Sequence, residues 1–357
     1  MDFVAIRENS IIEADMHDIT SLELPWSQLS DKTVMVTGGG GFLASYLVKT
    51  LLAASIIMSL KLKILVVSRS HPEKLIRLYP NLNSDNLRIF SCDLNASLPA
   101  NFPKADVIIH SASQASPKFF GTDPVGTLKT NSVGTMYLLD HAIKHSAERF
   151  LFFSSGEVYG QQHDPNQEIS ETDYGYLDST KVRSCYAESK RVGETMCVAW
   201  AHQFGLKTAI VRPFHTYGPG MSLNDGRVFA DLVADAVAKR DIVVKSDGLA
   251  RRPFCYISDA TRGFLTVLLK GESGQAYNIA NPKAEVSIKQ LAETISSLFP
   301  ERKLRVRYET LINNNEYLKS PITRQIPSIE KAESLGWSPT IDINTGFKRT
   351  VLSYDER

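Results

Sequence analysis

Two short patterns in the chain have the residue types and spacing of chemistry. The first is Gly38-x-x-Gly41-x-x-Ala44. It follows the β-branched run Val34-Met35-Val36 and opens an apolar pattern from Phe42 to Leu52. In that setting the first glycine permits a sharp turn and the second lets backbone approach a pyrophosphate. The third small residue lets a helix close on a strand. The helix start then offers unpaired N–H groups and a positive dipole end to phosphate. The second pattern is Tyr186-x-x-x-Lys190, which sets a phenol and an ammonium one helical turn apart on one face. A lysine charge beside the phenol, together with an oxidised nicotinamide, favours phenolate. The expectation is a tyrosine brought toward neutrality that works as a base. Ser155, at the end of Phe150-Leu151-Phe152-Phe153, is placed to hydrogen-bond the hydroxyl that Tyr186 deprotonates.

Residues at two strand ends bear on the dinucleotide. An acidic residue after the second strand would bind a free ribose 2′-hydroxyl, and here the positions read Ser68-Arg69. Serine and arginine suit a 2′-phosphate, so the cofactor is NAD or NADP with NADP favoured; a solvated Arg69, or one stacked on adenine, is the alternative. Asp93-Leu94 after the third strand stands where it would touch adenine, or is an exposed loop.

These groups need a scaffold that brings strand ends together. Ile64–Val67, Leu87–Phe90, Val107–His110, Phe150–Phe153 and Lys207–Val211 are short apolar runs like 34–36. Helical patterns lie between most of them, notably Val125 to His145 and Ser184 to Phe204. Runs buried on both faces that alternate with helices predict an α/β fold with a doubly wound parallel sheet. After Arg212-Pro213 the alternation degrades. The expected organisation is an extension over 1–30, a dinucleotide-binding domain over 31–212 and a smaller α/β substrate lobe over 213–357. Phe254–Ile257 is a candidate to rejoin the large domain. The extension reads as a short helical preface packed on the core.

The 357 residues carry a net charge of +1, which gives no field for nucleic acid or a membrane surface. Cys92, Cys185, Cys197 and Cys255 show neither metal-ligand nor paired spacing, which suits reduced thiols, a cytoplasmic location and no metal. The most apolar stretch, Leu51–Leu60, is interrupted by Ser55 and Ser59 and falls short of the ~18 residues a membrane span needs. Charge at Arg7, Glu8 and Glu13 argues against a signal peptide.

Thr37-Gly38-Gly39-Gly40-Gly41-Phe42-Leu43, Ser154-Ser155-Gly156-Glu157-Val158-Tyr159-Gly160 and Ser184-Cys185-Tyr186-Ala187-Glu188-Ser189-Lys190-Arg191 resemble the extended short-chain dehydrogenases acting on nucleotide sugars. Within these, His110–Pro117, Thr127–Asn131, Asn224–Val228 and Arg252-x-Phe254-x-Tyr256-Ile257-x-Asp259 look most like UDP-glucuronate decarboxylases. The resemblance spans about residues 32–345 and implies a Rossmann domain and a nucleotide-diphosphate sugar as substrate. It puts Gly38, Gly40, Gly41, Phe42, Leu43, Ser68, Arg69, Asp93, Leu94, Ser111, Ala112, Ser113, Asn131 and Pro213 at the cofactor with Tyr186 and Lys190. It puts Ser116, His215, Arg227, Val243 and Arg252 at the substrate, the two arginines on the diphosphate and Val243 in the base pocket. It also implies a homodimer through the helices beginning near Val125 and Ser184.

The implied opening step is oxidation at sugar C4 to a 4-keto intermediate. In 4,6-dehydratases an Asp-Glu pair follows the catalytic Ser/Thr; here the pair reads Gly156-Glu157, so the base is present and the acid is missing. Glu157 is a catalytic candidate, with a structural carboxylate as the alternative. His215 replaces an asparagine that commonly contacts the diphosphate, and serves there as a donor or adds an acid/base. Lys118 with Phe119-Phe120 occupies a segment near the sugar, and Asp178-Ser179-Thr180-Lys181 breaks the decarboxylase pattern. Decarboxylation or dehydration leads this reading. A 4-epimerase, an NADPH-dependent reductase of a 4-keto sugar nucleotide and, distantly, a non-catalytic binding protein are the alternatives.

Overall fold

The computed structural model describes residues 9–70, 72–76, 78–79, 86–309 and 322–356. Seven strands form one parallel sheet: β1 Thr33–Thr37, β2 Lys63–Ser68, β3 Leu87–Ser91, β4 Val107–His110, β5 Arg149–Phe153, β6 Lys207–Pro213 and β7 Gln275–Ile279. Their order is β7-β6-β5-β4-β1-β2-β3, and every neighbouring pair is parallel. The order reverses between β1 and β4, and ligands in such sheets bind outside the strand ends at that point. The register sets Thr37 beside Val67 on one side and His110 on the other. Val34, Val36, Ile64, Val66 and Ile109 join the core on one face, and Met35, Leu65, Val67 and Ile108 that on the other. Both faces are therefore helix-covered, which is why these strands read as unbroken apolar runs.

Six of the strands match the sequence expectation. The seventh, Gln275–Ile279, pairs with β6 in register Gln275 to Ala209, so chain beyond residue 213 returns to the sheet. Helix Ile257–Lys270, buried along most of its length, leads into it. Cys255–Tyr256 pairs with Thr216–Tyr217 in a separate two-stranded sheet. The helical pattern Val125–His145 is two helices, Pro124–Asn131 and Val133–Lys144. They part at Ser132, whose hydroxyl bonds the Leu128 carbonyl at 2.6 Å, a local competition that bends helices.

The N-terminal extension contains helix Ser10–Thr20, capped by Asn9, whose Oδ1 accepts from the Ile11 and Ile12 N–H groups. Ile12, Met16 and Ile19 recur at helical spacing and are buried against helices Phe42–Ile57, Ile257–Lys270 and Ile343–Asp355. At its centre Asp15 is fully buried. Its carboxylate accepts from Tyr46 Oη at 2.5 Å, Tyr256 Oη at 2.8 Å and Arg349 Nη1 at 2.8 Å. One side chain thus ties the first helix to helix Phe42–Ile57, the strand Cys255–Tyr256 and the last helix. Burial raises the Asp15 carboxyl from 3.8 to about 6. A raised folded-state value means that the folded chain holds a proton the unfolded chain has released. The contribution is therefore complete below about pH 4 and lost as pH rises through 6. Asp15→Asn is expected to flatten the fall in stability between pH 4 and 6 by about 2–3 kcal/mol, an order-of-magnitude figure. Urea melts of both proteins across that range check it, and an unchanged slope contradicts it. No helix among the described residues is long and apolar enough to cross a membrane.

Candidate active site

A cleft of about 450 Å³ opens along the C-terminal ends of the strands. The turn after β1 forms its floor. Gly38 has φ +74°, and a Cβ there would stand 2.7 Å from Ala112 Cα, so the turn requires glycine at this position. The loop after β4 is held by Ser111 Oγ donating to the Thr37 carbonyl at 2.7 Å and by the Ala112 N–H donating to Thr37 Oγ1 at 3.2 Å. His110 sits beneath, its Nδ1 2.8 Å from Thr37 Oγ1 and its Nε2 3.1 Å from Thr135 Oγ1. Burial lowers its pKa to about 3, so it is a neutral strut. The turn delivers the start of helix Phe42–Ile57 to the cleft with no side-chain cap on its first N–H groups. Ser113 Oγ, buried and lining the cleft, has no hydrogen-bond partner among the described residues. A glycine cradle, an uncapped 16-residue helix and an orphaned hydroxyl together fit a dinucleotide.

Gly38, Gly40, Gly41, Phe42, Leu43, Ser68, Arg69, Asp93, Leu94, Ser111, Ala112, Ser113 and Pro213 all line this cleft. Ser68 is nearly buried, its Oγ accepting from the Ser70 N–H at 3.1 Å, whereas Arg69 is exposed. Asn131 stands outside the lining and donates to Ser189 Oγ at 3.0 Å, leaving its Oδ1 buried without a partner among the described residues.

The reacting end is built from β5 and helix Cys185–Phe204. Ser155 has extended backbone and accepts the Glu157 N–H at 3.2 Å. Its hydroxyl is near enough to the Tyr186 phenol to favour phenolate there. Lys190, 2% exposed, donates to the Phe153 carbonyl at 2.5 Å and lies over the Phe152 and Tyr186 rings, 4.9 and 5.8 Å from their centroids. The constellation read from sequence is brought together. Its electrostatics differ from the expectation. Burial pushes Tyr186 up to about 12, partly offset by the Ser155 hydroxyl. The same burial lowers Lys190 to about 7. A dry site disfavours phenolate and ammonium alike, so in the chain alone Lys190 does not bring Tyr186 toward neutrality.

Glu157 lines the cleft but is not free: Arg183 Nη2 donates to both its oxygens, at 3.1 and 3.0 Å. The Arg183 guanidinium lies 4.7 Å from the Phe120 ring centroid. That ring stacks on Tyr186 with centroids 4.8 Å apart. Glu157, Arg183, Phe120 and Tyr186 thus form one continuous wall. Sequence reasoning gave no role to Arg183 and attached none to Phe120 beyond its segment. The available signal was a charged residue three positions before Tyr186, on the turn Val182–Ser184 that starts the helix.

Gly156 explains a departure from the dehydratase pattern. A Cβ at this residue would meet the Phe214 ring at 2.6–2.9 Å, and the Gly156 carbonyl accepts from Gln325 Nε2 at 3.1 Å. The volume of an acid at this position is filled by Phe214. His215, Arg227 and Arg252 all line the cleft. His215 is held neutral: burial lowers its pKa well below the usual value, and Arg252 and Arg227 add to the effect. Its Nδ1 has no partner among the described residues. Arg227 Nε lies 2.6 Å from Asp225 Oδ2, and Arg252 donates to the carbonyls of Ile322 and Thr323. Ser116 is not in the lining; its hydroxyl bonds the Asp225 carbonyl at 2.6 Å and so braces the loop before Arg227. Val243 also departs from the expectation. It lies on Ile242–Val244, paired with Val306–Tyr308, with its N–H bonded to Asp235, and among the described residues it does not line the cleft. Lys118 is also outside the lining. All four cysteines are free thiols, and the described residues contain no cluster that could hold a metal.

Comparison with known proteins agrees with this fold. Residues 34–280 match the NAD dependent epimerase/dehydratase family. UDP-glucuronic acid decarboxylase 6 of Arabidopsis thaliana is 33% identical over 319 residues, 89% of this chain and 87% of the relative. UDP-glucuronic acid decarboxylase 1 of Xenopus tropicalis is 32% identical over 326 residues, 91% and 72% of the two chains. Among solved structures, UDP-glucose 4-epimerase from Thermotoga maritima, with UDP-glucose, superimposes with TM-score 0.75 at 23% identity, covering 91% of this chain and 99% of that one. UDP-glucuronic acid 4-epimerase from Bacillus cereus, in complex with UDP-glucuronic acid and NAD, gives TM-score 0.75 at 21% identity and the same coverage.

Proposed function

Since the chain belongs to the NAD-dependent epimerase/dehydratase family of enzymes, we propose that its own reaction is decarboxylation of UDP-glucuronate through a 4-keto intermediate. The observation that carries this is the Gly156–Phe214 contact. Loss of water from C6 needs an acid to protonate the leaving hydroxyl, and the position that supplies it in dehydratases is closed. Loss of carbon dioxide needs no such acid: once C4 is a ketone, the carboxylate is β to it, and the departing electron pair is held as an enolate.

The residues divide the work. Tyr186, with Ser155 sharing its hydrogen bond, takes the C4 hydroxyl proton. A bound nicotinamide would supply a hydride acceptor and donor at C4, and its positive charge would oppose the burial that holds Tyr186 neutral. Arg183, Arg227 and Arg252 supply fixed positive charge for a carboxylate and a diphosphate. Arg183 also holds Glu157 beside the reacting pair, where it can move a proton at C5. His215, neutral, offers a hydrogen bond to the diphosphate without adding charge. Product mass after incubation with UDP-glucuronate tests the reading.

Three finer points belong to this proposal. Ser68, Arg69 and Ser70 at the end of β2 hold no carboxylate, so NADP is expected to bind at least about tenfold more tightly than NAD. Fluorescence titration checks this, and a preference for NAD contradicts it. The same feature is what favours the second reading, net reduction of a 4-keto sugar by NADPH; stoichiometric NADPH consumption would establish that instead. Val125 and Leu128 on one helix and Val192 and Val198 on its packed neighbour are exposed apolar residues, which supports a homodimer. Light scattering should give about twice the 39.7 kDa chain mass, and a monomer at micromolar concentration would sink this point. The four free thiols support a cytoplasmic location.

A further inference from the structure

Behind the reacting pair lies a buried polar cluster that the chemistry above does not use. Glu194 follows Lys190 by four residues on helix Cys185–Phe204, so Tyr186, Lys190 and Glu194 share one face. Its side chain is 12% exposed and that of Arg212, from β6, only 3%. Arg212 grips the carboxylate as a fork, Nε to Oε1 at 2.8 Å and Nη2 to Oε2 at 2.6 Å. Its Nη1 donates to Tyr159 Oη at 2.8 Å and to the Glu171 carbonyl at 3.0 Å, and Tyr159 Oη donates to Asn278 Oδ1 at 2.6 Å. Glu194 Oε1 also accepts from Ser154 Oγ at 2.5 Å. Ser154 immediately precedes Ser155, and Arg212 immediately precedes the cleft residue Pro213. One carboxylate therefore joins the ends of β5 and β6 to the helix that carries the acid/base pair.

We propose that Glu194 is a positioning residue for Tyr186 and Lys190. Held by Arg212, it locks the strand end bearing Ser155 to their helix and sets a negative charge one helical turn from Lys190 on the same face. The inference rests on the reading of Tyr186 and Lys190 as the acid/base pair. The charged and titratable groups facing Lys190 are few. On its own helix they are Tyr186, Glu194 and Cys197, the last kept a neutral thiol by burial. From β4 there is His110, which burial and the Lys190 charge hold neutral. From β6, Arg212 lies beyond Glu194. Among the described residues, Glu194 is thus the carboxylate that opposes the desolvation of Lys190, and a fork of charge-assisted bonds fixes it in place. A pair that merely tied two elements together would leave the titration of Lys190 unchanged when neutralised.

The test uses the full chain with saturating NADP or NAD and lysine labelled at Cε, with the Lys190 resonance assigned by its loss in Lys190→Met. The Lys190 midpoint in Glu194→Gln is expected to fall by about one pH unit or more. An unmoved or raised midpoint overturns the proposal. Should Glu194→Gln not fold because Arg212 is left unpaired, Glu194→Gln/Arg212→Met leaves no lone buried charge; the loss of the more distant Arg212 cation makes the expected fall smaller but keeps its direction, and an unmoved or raised midpoint again overturns the proposal. The readout does not involve substrate. A lowered midpoint in a protein inert toward UDP-glucuronate would therefore sink the substrate reading and leave this one standing.

Discussion

Tyr186→Phe is expected to lose about 10³-fold or more in turnover while cofactor affinity and fold are kept. The ring is packed on Phe120 at 4.8 Å, and phenylalanine preserves that stack. Only the hydroxyl that meets Ser155 and receives the C4 proton is removed. General acid–base groups contribute about 10²–10⁴-fold, and this one serves both the opening oxidation and the closing reduction. Because the loss falls on the transition state, kcat and kcat/KM should drop together. Single-turnover formation of reduced nicotinamide from UDP-glucuronate is the direct readout. A variant retaining more than a tenth of the wild-type rate would show that another group takes the proton.

Gly156→Asp should not convert the protein to a dehydratase; it should cripple it. Restoring the dehydratase pair in sequence would look like a gain of the missing acid. The geometry says otherwise, because the new Cβ alone enters the Phe214 ring at 2.6 Å. Either Phe214 moves or the turn carrying Ser155 and Glu157 does, and overpacking of this kind costs about 1–3 kcal/mol. Displacing Ser155 relative to Tyr186 by about an ångström is expected to cost a further ~10² in rate. The measurement is water loss and carbon dioxide loss from a panel of nucleotide sugars by the variant. Appearance of a dehydrated product at a rate near that of the parent reaction would contradict the account. A small partner at 214 is the accompanying control: Phe214→Ala/Gly156→Asp should recover part of the lost rate if the ring contact is the cause.

The glycine turn and Tyr186-x-x-x-Lys190 were legible in the sequence because each is a local pattern. Its spacing alone fixes the geometry, through a strand–turn–helix in one case and one helical turn in the other. Six strands were legible because a parallel sheet covered on both faces leaves uninterrupted apolar runs. The strand Gln275–Ile279 was not, since Gln275 and Asn278 break the run, and Asn278 is polar for the Tyr159 and Arg212 network rather than for solvent. Phe214 against Gly156, Arg183 on Glu157 and Phe120 on Tyr186 are contacts between segments tens of residues apart, and no local spacing encodes them. The same holds for Asp15, whose three partners come from a helix of the large domain, a short strand and the last helix. The lowered pKa of Tyr186 was expected from charge proximity alone. Burial, a property of the whole fold, outweighs it in the chain itself.

The central claim is tested most directly by mass spectrometry of the nucleotide sugar recovered after incubating the purified chain with UDP-glucuronate and catalytic dinucleotide, with no added reductant. The expected product is lighter by one carbon dioxide, formed without net change in the cofactor. With UDP-glucose in a parallel incubation, whose C6 does carry a hydroxyl, loss of water would mean that an acid other than residue 156 serves C6. An unchanged mass with no deuterium taken up at C5 in heavy water would contradict decarboxylation of this substrate altogether.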